Sequence, residues 1–353
     1  MLNRIAEALG VNRSRYGAWF LVTVFVLSAT VLPMLGYTFG RFEYDILKVY
    51  GHYQRTHQYS YLRTLPTYLS LFIFAEIYQL VLAVNAIRTE NTIQAVGIVF
   101  FNMAMLVYSA LQYNQIQDTA EQLGVHAAYE ACKGVIIAIP CVIACGILVL
   151  VVLTYKIHQD FGWSIYKQVG ADISSKRRYL CYLIYVTLLK FDFFFFLGFT
   201  VQFVVVVLKH DDIEFALTIV VIPLTIIALY LATVFVRKEA IAGMGAMIVV
   251  YLAGMAYFVF KLVRIYEPSQ KYKYMAVRKT LTVFAVLTII FLVATIIMAV
   301  ICTFNFGKGL KRIVHDTKQS RISKQSPNDS LLTPEKIQPP ADGQQRKSQL
   351  IID

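Results

Sequence analysis

Runs of about 20 apolar residues recur from residue 17 to residue 304, and only a few kinds of fold accommodate so many of them. Each run is long enough to cross a hydrocarbon core of about 30 Å as a helix. Hydrophobic residues make up 58% of the chain and charged residues 15%, against roughly 45–50% and 25% in soluble domains. We therefore predict an all-α, polytopic transmembrane helix bundle with about eight spans, near residues 17–40, 66–87, 92–113, 134–156, 180–208, 214–236, 241–263 and 280–304.

The short loops indicate how the bundle is oriented, because Lys and Arg concentrate on the cytosolic side. Basic residues precede the first span and fill the fourth loop, the sixth loop and the start of the tail. Eight spans with both ends cytosolic fit that pattern. The first and seventh loops, both predicted to be lumenal, also carry several basic residues. Seven spans with a lumenal N-terminus therefore remain an alternative.

Three regions follow from this layout: a cytosolic N-terminus (1–16), a transmembrane helical domain (17–306) and a tail (307–353). The tail is rich in Ser, Gln, Lys and Pro and is predicted to be disordered and cytosolic. Its basic residues are candidates for binding anionic lipid headgroups: Lys308, Lys311, Arg312, Lys318, Arg321 and Lys324. The net charge of +12 comes with no nucleic-acid motif, so membrane lipids are the expected partners and nucleic acid is not.

Polar residues at membrane depth are the best leads to function, because an ionisable side chain there costs several kcal/mol unless it is paired or solvated. Glu76 and Gln79 lie three residues apart, on one face of the second span. Asn85 is predicted to face away from them, near the membrane surface. In the third span Asn102 and Ser109 share a face. We expect these groups to bond between helices, with a conduction or substrate path as the alternative.

The fifth span contains Lys190 and Asp192, which point in different directions because two residues turn a helix by about 200°. Lys190 is predicted to reach outward to the cytosolic interface, which leaves Asp192 as the more deeply committed charge. Glu76 is a possible partner for Lys190.

The sequence offers little sign of catalysis. It contains no Walker loop, GxSxG elbow, kinase signature or HExxH, and four of its five cysteines fall within apolar runs. His210, Asp211 and Asp212 in the fifth loop suggest a cation site or a surface enzyme site, but a helix N-cap explains the aspartates better. We therefore predict no catalytic residue, no metal site and no cofactor.

Two stretches carry a family resemblance: YQLVLAVNAIRTENTIQAVGIVFFNMAMLVYSALQ (78–112) and FGWSIYKQVGADISSKRRYLCYLIYVTLLKFDFFFFLGFTVQF (161–203). The most specific elements are Asn-Thr-Ile-Gln at 91–94, Gly-Ala-Asp at 170–172 and Lys-Phe-Asp-Phe-Phe-Phe at 190–195. Both stretches resemble a fungal family of uncharacterised multi-pass Golgi apparatus membrane proteins. The resemblance covers residues 17–306 and implies Golgi or related endomembrane residence, with no catalytic residue or ligand to transfer.

The leading hypothesis is a non-enzymatic Golgi protein with a structural, trafficking or receptor-like role. A transporter or ion-coupled carrier that uses Glu76, Lys190 and Asp192 is the alternative. A membrane-embedded lipid-modifying enzyme with His210, Asp211 and Asp212 near the surface is a third, weaker idea.

Overall fold

The structure is a computed structural model that describes residues 14–50, 60–169, 173–207, 213–268, 274 and 277–308. Eight long helices account for most of these residues. They are α1 (Arg15–Tyr50), α2 (Ser60–Arg88), α3 (Thr92–Leu123), α4 (His126–Val169), α5 (Ile173–Gln202), α6 (Ile213–Lys238), α7 (Ile241–Tyr266) and α8 (Arg278–Phe304). A π-helical turn, Phe203–Val207, continues α5.

All eight helices are long and apolar enough to cross a membrane. The prediction of an all-α bundle with eight spans is confirmed, and the seven-span alternative is not supported. Several helices run past the predicted spans, since α4 has 44 residues and a helix of that length measures about 66 Å. Backbone hydrogen bonding lets a helix continue beyond the hydrocarbon layer, so apolar runs underestimate helix length.

Some predictions concern residues outside the described ranges. The loop residues His210, Asp211 and Asp212 are among them, as is most of the tail with Lys311, Arg312, Lys318, Arg321 and Lys324. Lys308 is the last described residue. The expected cytosolic N-terminus, the disorder of the tail and its headgroup contacts remain predictions.

The helices form two groups, α1–α4 and α5–α8. In the first group α1 packs most extensively against α4, and in the second α5 packs against α8. Small residues allow close approach at both contacts. A Cβ atom added at Gly146 would lie 2.9 Å from Leu27 Cδ1, and one at Gly198 would lie 2.5 Å from Phe284 Cε1. Larger residues at either position would push the paired helices apart.

An aromatic core joins the two groups at the centre of the bundle. Phe194 of α5 lies with its ring centroid 4.7 Å from Phe101 of α3 and 5.8 Å from Phe74 of α2. Phe195 turns the other way and stacks 4.9 Å from Phe291 of α8. The phenylalanine run of α5 therefore anchors this helix to both groups.

One end of the bundle is where α1 begins and α8 ends, and we name it the terminal face. The short α2–α3 and α6–α7 turns lie there, and each contains a glutamate in the left-handed region, Glu90 at φ 48° and Glu239 at φ 54°. The Glu239 carboxylate accepts a hydrogen bond of 2.8 Å from the backbone N–H of Gly307. Arg178 donates to the carbonyl of Lys308. These two contacts fix the place where the chain leaves α8.

Candidate functional site

Glu76 forms the first of three polar clusters inside the bundle. Its Oε2 accepts from Ser28 Oγ at 2.9 Å and from Gln79 Nε2 at 2.6 Å, and Gln79 also donates to Ser28 at 3.1 Å. All three residues are at most 2% exposed. The triangle ties α1 to α2. Sequence reasoning found Glu76 and Gln79 but missed Ser28, because a single serine in a long apolar run carries no signal of its own.

Lys190 forms the second cluster, and its partners differ from the one we predicted. Its Nζ donates to Asn85 Oδ1 and to Gln94 Oε1, both at 2.6 Å, and not to Glu76. Gln94 is fully buried and donates in turn to the carbonyl of Leu82 at 2.7 Å. Lys190 therefore joins α5 to both α2 and α3, beside the turn between those two helices.

Asn91 sets the position of that turn. Its Oδ1 caps α3 by accepting from the backbone N–H groups of Ile93 and Gln94, at 3.1 and 3.3 Å. Its Nδ2 donates to Thr187 Oγ1 on α5 at 3.2 Å. The Asn-Thr-Ile-Gln motif at 91–94 thus meets the Lys-Phe-Asp segment that begins at Lys190. Two of the motifs that carry the family resemblance belong to one polar cluster.

Asp192 forms the third cluster, on the opposite side of α5. Its Oδ2 accepts from Thr295 Oγ1 of α8 at 2.5 Å. Asp192 is 5% exposed, and its Oδ1 has no hydrogen-bond partner among the described residues. A turn or two away, the hydroxyl groups of Tyr185 on α5 and Tyr251 on α7 lie 2.9 Å apart. These polar contacts hold α5, α7 and α8 together.

Two expected interhelical contacts are wrong. Asn102 Nδ2 donates to the carbonyl of Ile98, four residues back on its own helix, at 2.9 Å. Ser109 Oγ donates to the carbonyl of Leu106, also on α3, at 2.8 Å. Both side chains are buried. A short polar side chain in a helix can reach a carbonyl one turn earlier, which satisfies it without a neighbouring helix.

The three ionisable residues lie in separate surroundings. Within the described part of the chain, Glu76, Lys190 and Asp192 each bond only to neutral groups, and no hydrogen bond links any two of them. Hydrogen bonds to charged groups contribute about 1.5–3 kcal/mol each.

The described residues include no group of three or more His, Cys, Asp or Glu placed to hold a metal ion, and all five cysteines are free.

Comparison with known proteins places the chain in a family. It is 33% identical over 320 residues to a UPF0658 Golgi apparatus membrane protein of Schizosaccharomyces pombe, an alignment that covers 83% of this chain and 88% of that protein. No family model and no solved structure matches. The chain belongs to the UPF0658 family of fungal Golgi apparatus membrane proteins, and it is a multi-pass protein of the Golgi membrane.

Proposed function

We propose that this Golgi membrane protein is a non-enzymatic scaffold with a structural, trafficking or receptor-like role. The observation that carries the proposal is that Glu76, Lys190 and Asp192 each bond neutral side chains, and that each set of bonds ties neighbouring helices together. A proton relay or an ion-coupled carrier built from these three residues would need them to be linked to one another. Their separation instead suits three independent clamps: α1 to α2, α2 and α3 to α5, and α5 to α8.

A clamped bundle would present its terminal face in a fixed form. The contacts of Glu239 with Gly307 and of Arg178 with Lys308 hold the start of the tail against that face. The basic tail beyond it would then meet anionic lipid headgroups from a defined point. In this proposal the bundle positions the tail, and the tail engages the membrane surface or protein partners.

The test is ion flux through the purified full chain in liposomes that carry a pH-sensitive dye. We expect proteoliposomes to dissipate an imposed pH or sodium gradient no faster than protein-free liposomes. Glu76→Gln and Asp192→Asn should behave like the wild type, since both keep an oxygen that can accept the existing bond. Flux above the protein-free level that either substitution abolishes, in a protein with unchanged thermal stability, would reject the scaffold.

An ion-coupled carrier is the second candidate, and one observation favours it. Among the described residues Asp192 Oδ1 is buried without a hydrogen-bond partner, since Thr295 donates only to the other carboxyl oxygen, Oδ2. A carboxyl oxygen left in this way is a place where a proton or cation could bind. In the same liposome assay a carrier predicts gradient-driven flux that Asp192→Asn removes and that Glu76→Gln leaves unchanged.

A further inference from the structure

A small cavity lies inside the α1–α4 group, and all four helices contribute to its wall. Three of the side chains that line it are polar, namely Thr38 of α1 and Ser109 and Gln112 of α3, and the others are leucine and isoleucine. The three polar residues are at most 4% exposed. The volume of the cavity is about 10 Å³, which is close to the space that one water molecule needs.

Gln112 supplies the reason to place a ligand in this cavity. Its Nε2 is buried and has no hydrogen-bond partner among the described residues. A buried N–H donor without a partner is costly, and such groups are normally satisfied by protein or by ordered water. The hydroxyl groups of Thr38 and Ser109 each donate to a carbonyl of their own helix, those of Met34 and Leu106. A hydroxyl that donates one hydrogen bond can still accept another, so the wall offers one donor and two acceptors.

The chemistry of this wall selects a neutral molecule. The unpartnered group is a donor, whereas hard metal cations need oxygen ligands. The described side chains that line the cavity carry no charge. An ion would therefore be buried without compensation, which costs far more than burying a neutral molecule. A water molecule can accept from Gln112 Nε2 and donate to both hydroxyl groups, and three hydrogen bonds are the usual number for a buried water.

The place of the cavity in the bundle explains what such a water would connect. α1 and α3 are diagonal within the α1–α4 group, since each packs extensively against α2 and α4 rather than against the other. Thr38 lies near the end of the first apolar run, about 35 Å along α1 from the terminal face. The Glu76 cluster contacts α1 at Ser28, about 15 Å nearer that face. The cavity is therefore a separate polar place, close to the opposite membrane surface.

We propose that this cavity binds one water molecule, which bridges Thr38 of α1 to Ser109 and Gln112 of α3. The water accepts a hydrogen bond from Gln112 Nε2 and donates one to each hydroxyl oxygen, so that all three polar groups are satisfied. It thereby joins two helices that have little direct contact. The inference goes beyond the scaffold proposal and does not depend on it, because the cavity and its wall would be the same in a carrier.

A crystal structure of the full chain, grown in a lipid mesophase and refined at a resolution that shows ordered water, tests the site directly. We expect an electron-density peak about 3 Å from each of Gln112 Nε2, Thr38 Oγ1 and Ser109 Oγ. Thr38→Val keeps the shape of the side chain and removes one acceptor, so it should remove most of the peak. The matched control is Thr200→Val on α5, where a buried threonine donates to the carbonyl of Phe196 on its own helix at 2.8 Å. This control should leave the peak unchanged.

Three results would contradict the proposal. A wild-type map without a peak between the three side chains would show that the cavity is dry. A peak that persists undiminished in Thr38→Val would reject the bridge to α1. Crystals soaked in rubidium bromide distinguish water from an ion, since both ions scatter anomalously, and an anomalous peak from either one in the cavity would reject water as the ligand.

The test does not depend on one variant. The wild-type map alone decides whether the cavity holds a ligand. Where Thr38→Val fails to fold, Ser109→Ala removes the other acceptor and should likewise remove most of the peak. An undiminished peak in Ser109→Ala would reject the bridge as proposed.

Discussion

At the scale of single residues, the role of a buried polar group depends on which groups form hydrogen bonds with it. Glu76 and Asp192 are both buried carboxyl groups, yet one has donors from two residues and the other has Thr295 alone. Sequence spacing placed Glu76 and Gln79 together correctly, because both lie on one helix. It paired Lys190 with the wrong residue, since that choice depends on how α2, α3 and α5 pack.

Thr295→Val provides a direct test of the Asp192 contact. The substitution keeps the shape of the side chain and removes the donor, which leaves a buried carboxyl group without any hydrogen bond. We expect the free energy of unfolding to fall by about 1–3 kcal/mol, measured by SDS-driven unfolding in mixed micelles.

The matched control is Thr288→Val on the same helix. Thr288 is also buried, but its hydroxyl donates to the carbonyl of Phe284 within α8. Its loss should cost less than about 1 kcal/mol, since that carbonyl keeps its helical partner. Equal effects of the two substitutions would mean that the Asp192 contact contributes nothing specific.

At the scale of the helices, apolar runs predicted the number of spans well and the helix ends poorly. Eight runs correspond to eight helices because lipid requires every backbone polar group to be bonded within a helix. The ends depend on local caps. The Asn91 side chain caps α3 and also donates a hydrogen bond to α5. The same side chain therefore fixes both the α2–α3 turn and the position of α5 beside it.

Asn91→Ala removes both the N-cap of α3 and the hydrogen bond to Thr187 of α5, and it should lower the free energy of unfolding by about 1–2 kcal/mol. Asn91→Asp keeps the capping oxygen, loses the donation to Thr187 and adds a carboxylate at the N-terminus of α3, where the helix dipole favours negative charge, so its effect should be smaller. Thermal unfolding of the purified chain, followed by its tryptophan fluorescence, distinguishes the two variants. If Asn91→Asp is as damaging as Asn91→Ala, the cap is not what holds this turn.

At the scale of the whole molecule, an even number of helices places the start of α1 and the end of α8 on the same side of the bundle. The terminal face also carries Arg237 and Lys238, as expected for a cytosolic surface. The first and seventh loops contradict that charge rule, so orientation could not be decided from charge alone. Packing does not decide the orientation either, because the contacts between the eight helices are the same whichever face of the bundle is cytosolic.

Glycosylation mapping decides the orientation. Acceptor sequons engineered into the α1–α2 connection, within residues 51–59, and into the α7–α8 connection, within 269–273, should both receive glycans. A sequon at the α4–α5 connection, within 170–172, should receive none. The reverse pattern would place the terminal face in the lumen and remove the basis for its contact with cytosolic headgroups.

The most direct test of the three-clamp account is a double-mutant cycle between Glu76→Leu and Thr295→Val, measured as free energies of unfolding in mixed micelles. Glu76→Leu breaks the α1–α2 clamp and Thr295→Val breaks the α5–α8 clamp. Separate clamps predict that the two losses add within about 0.5 kcal/mol. A coupling energy above about 1 kcal/mol would show that Glu76 and Asp192 act as one network, and it would contradict the account.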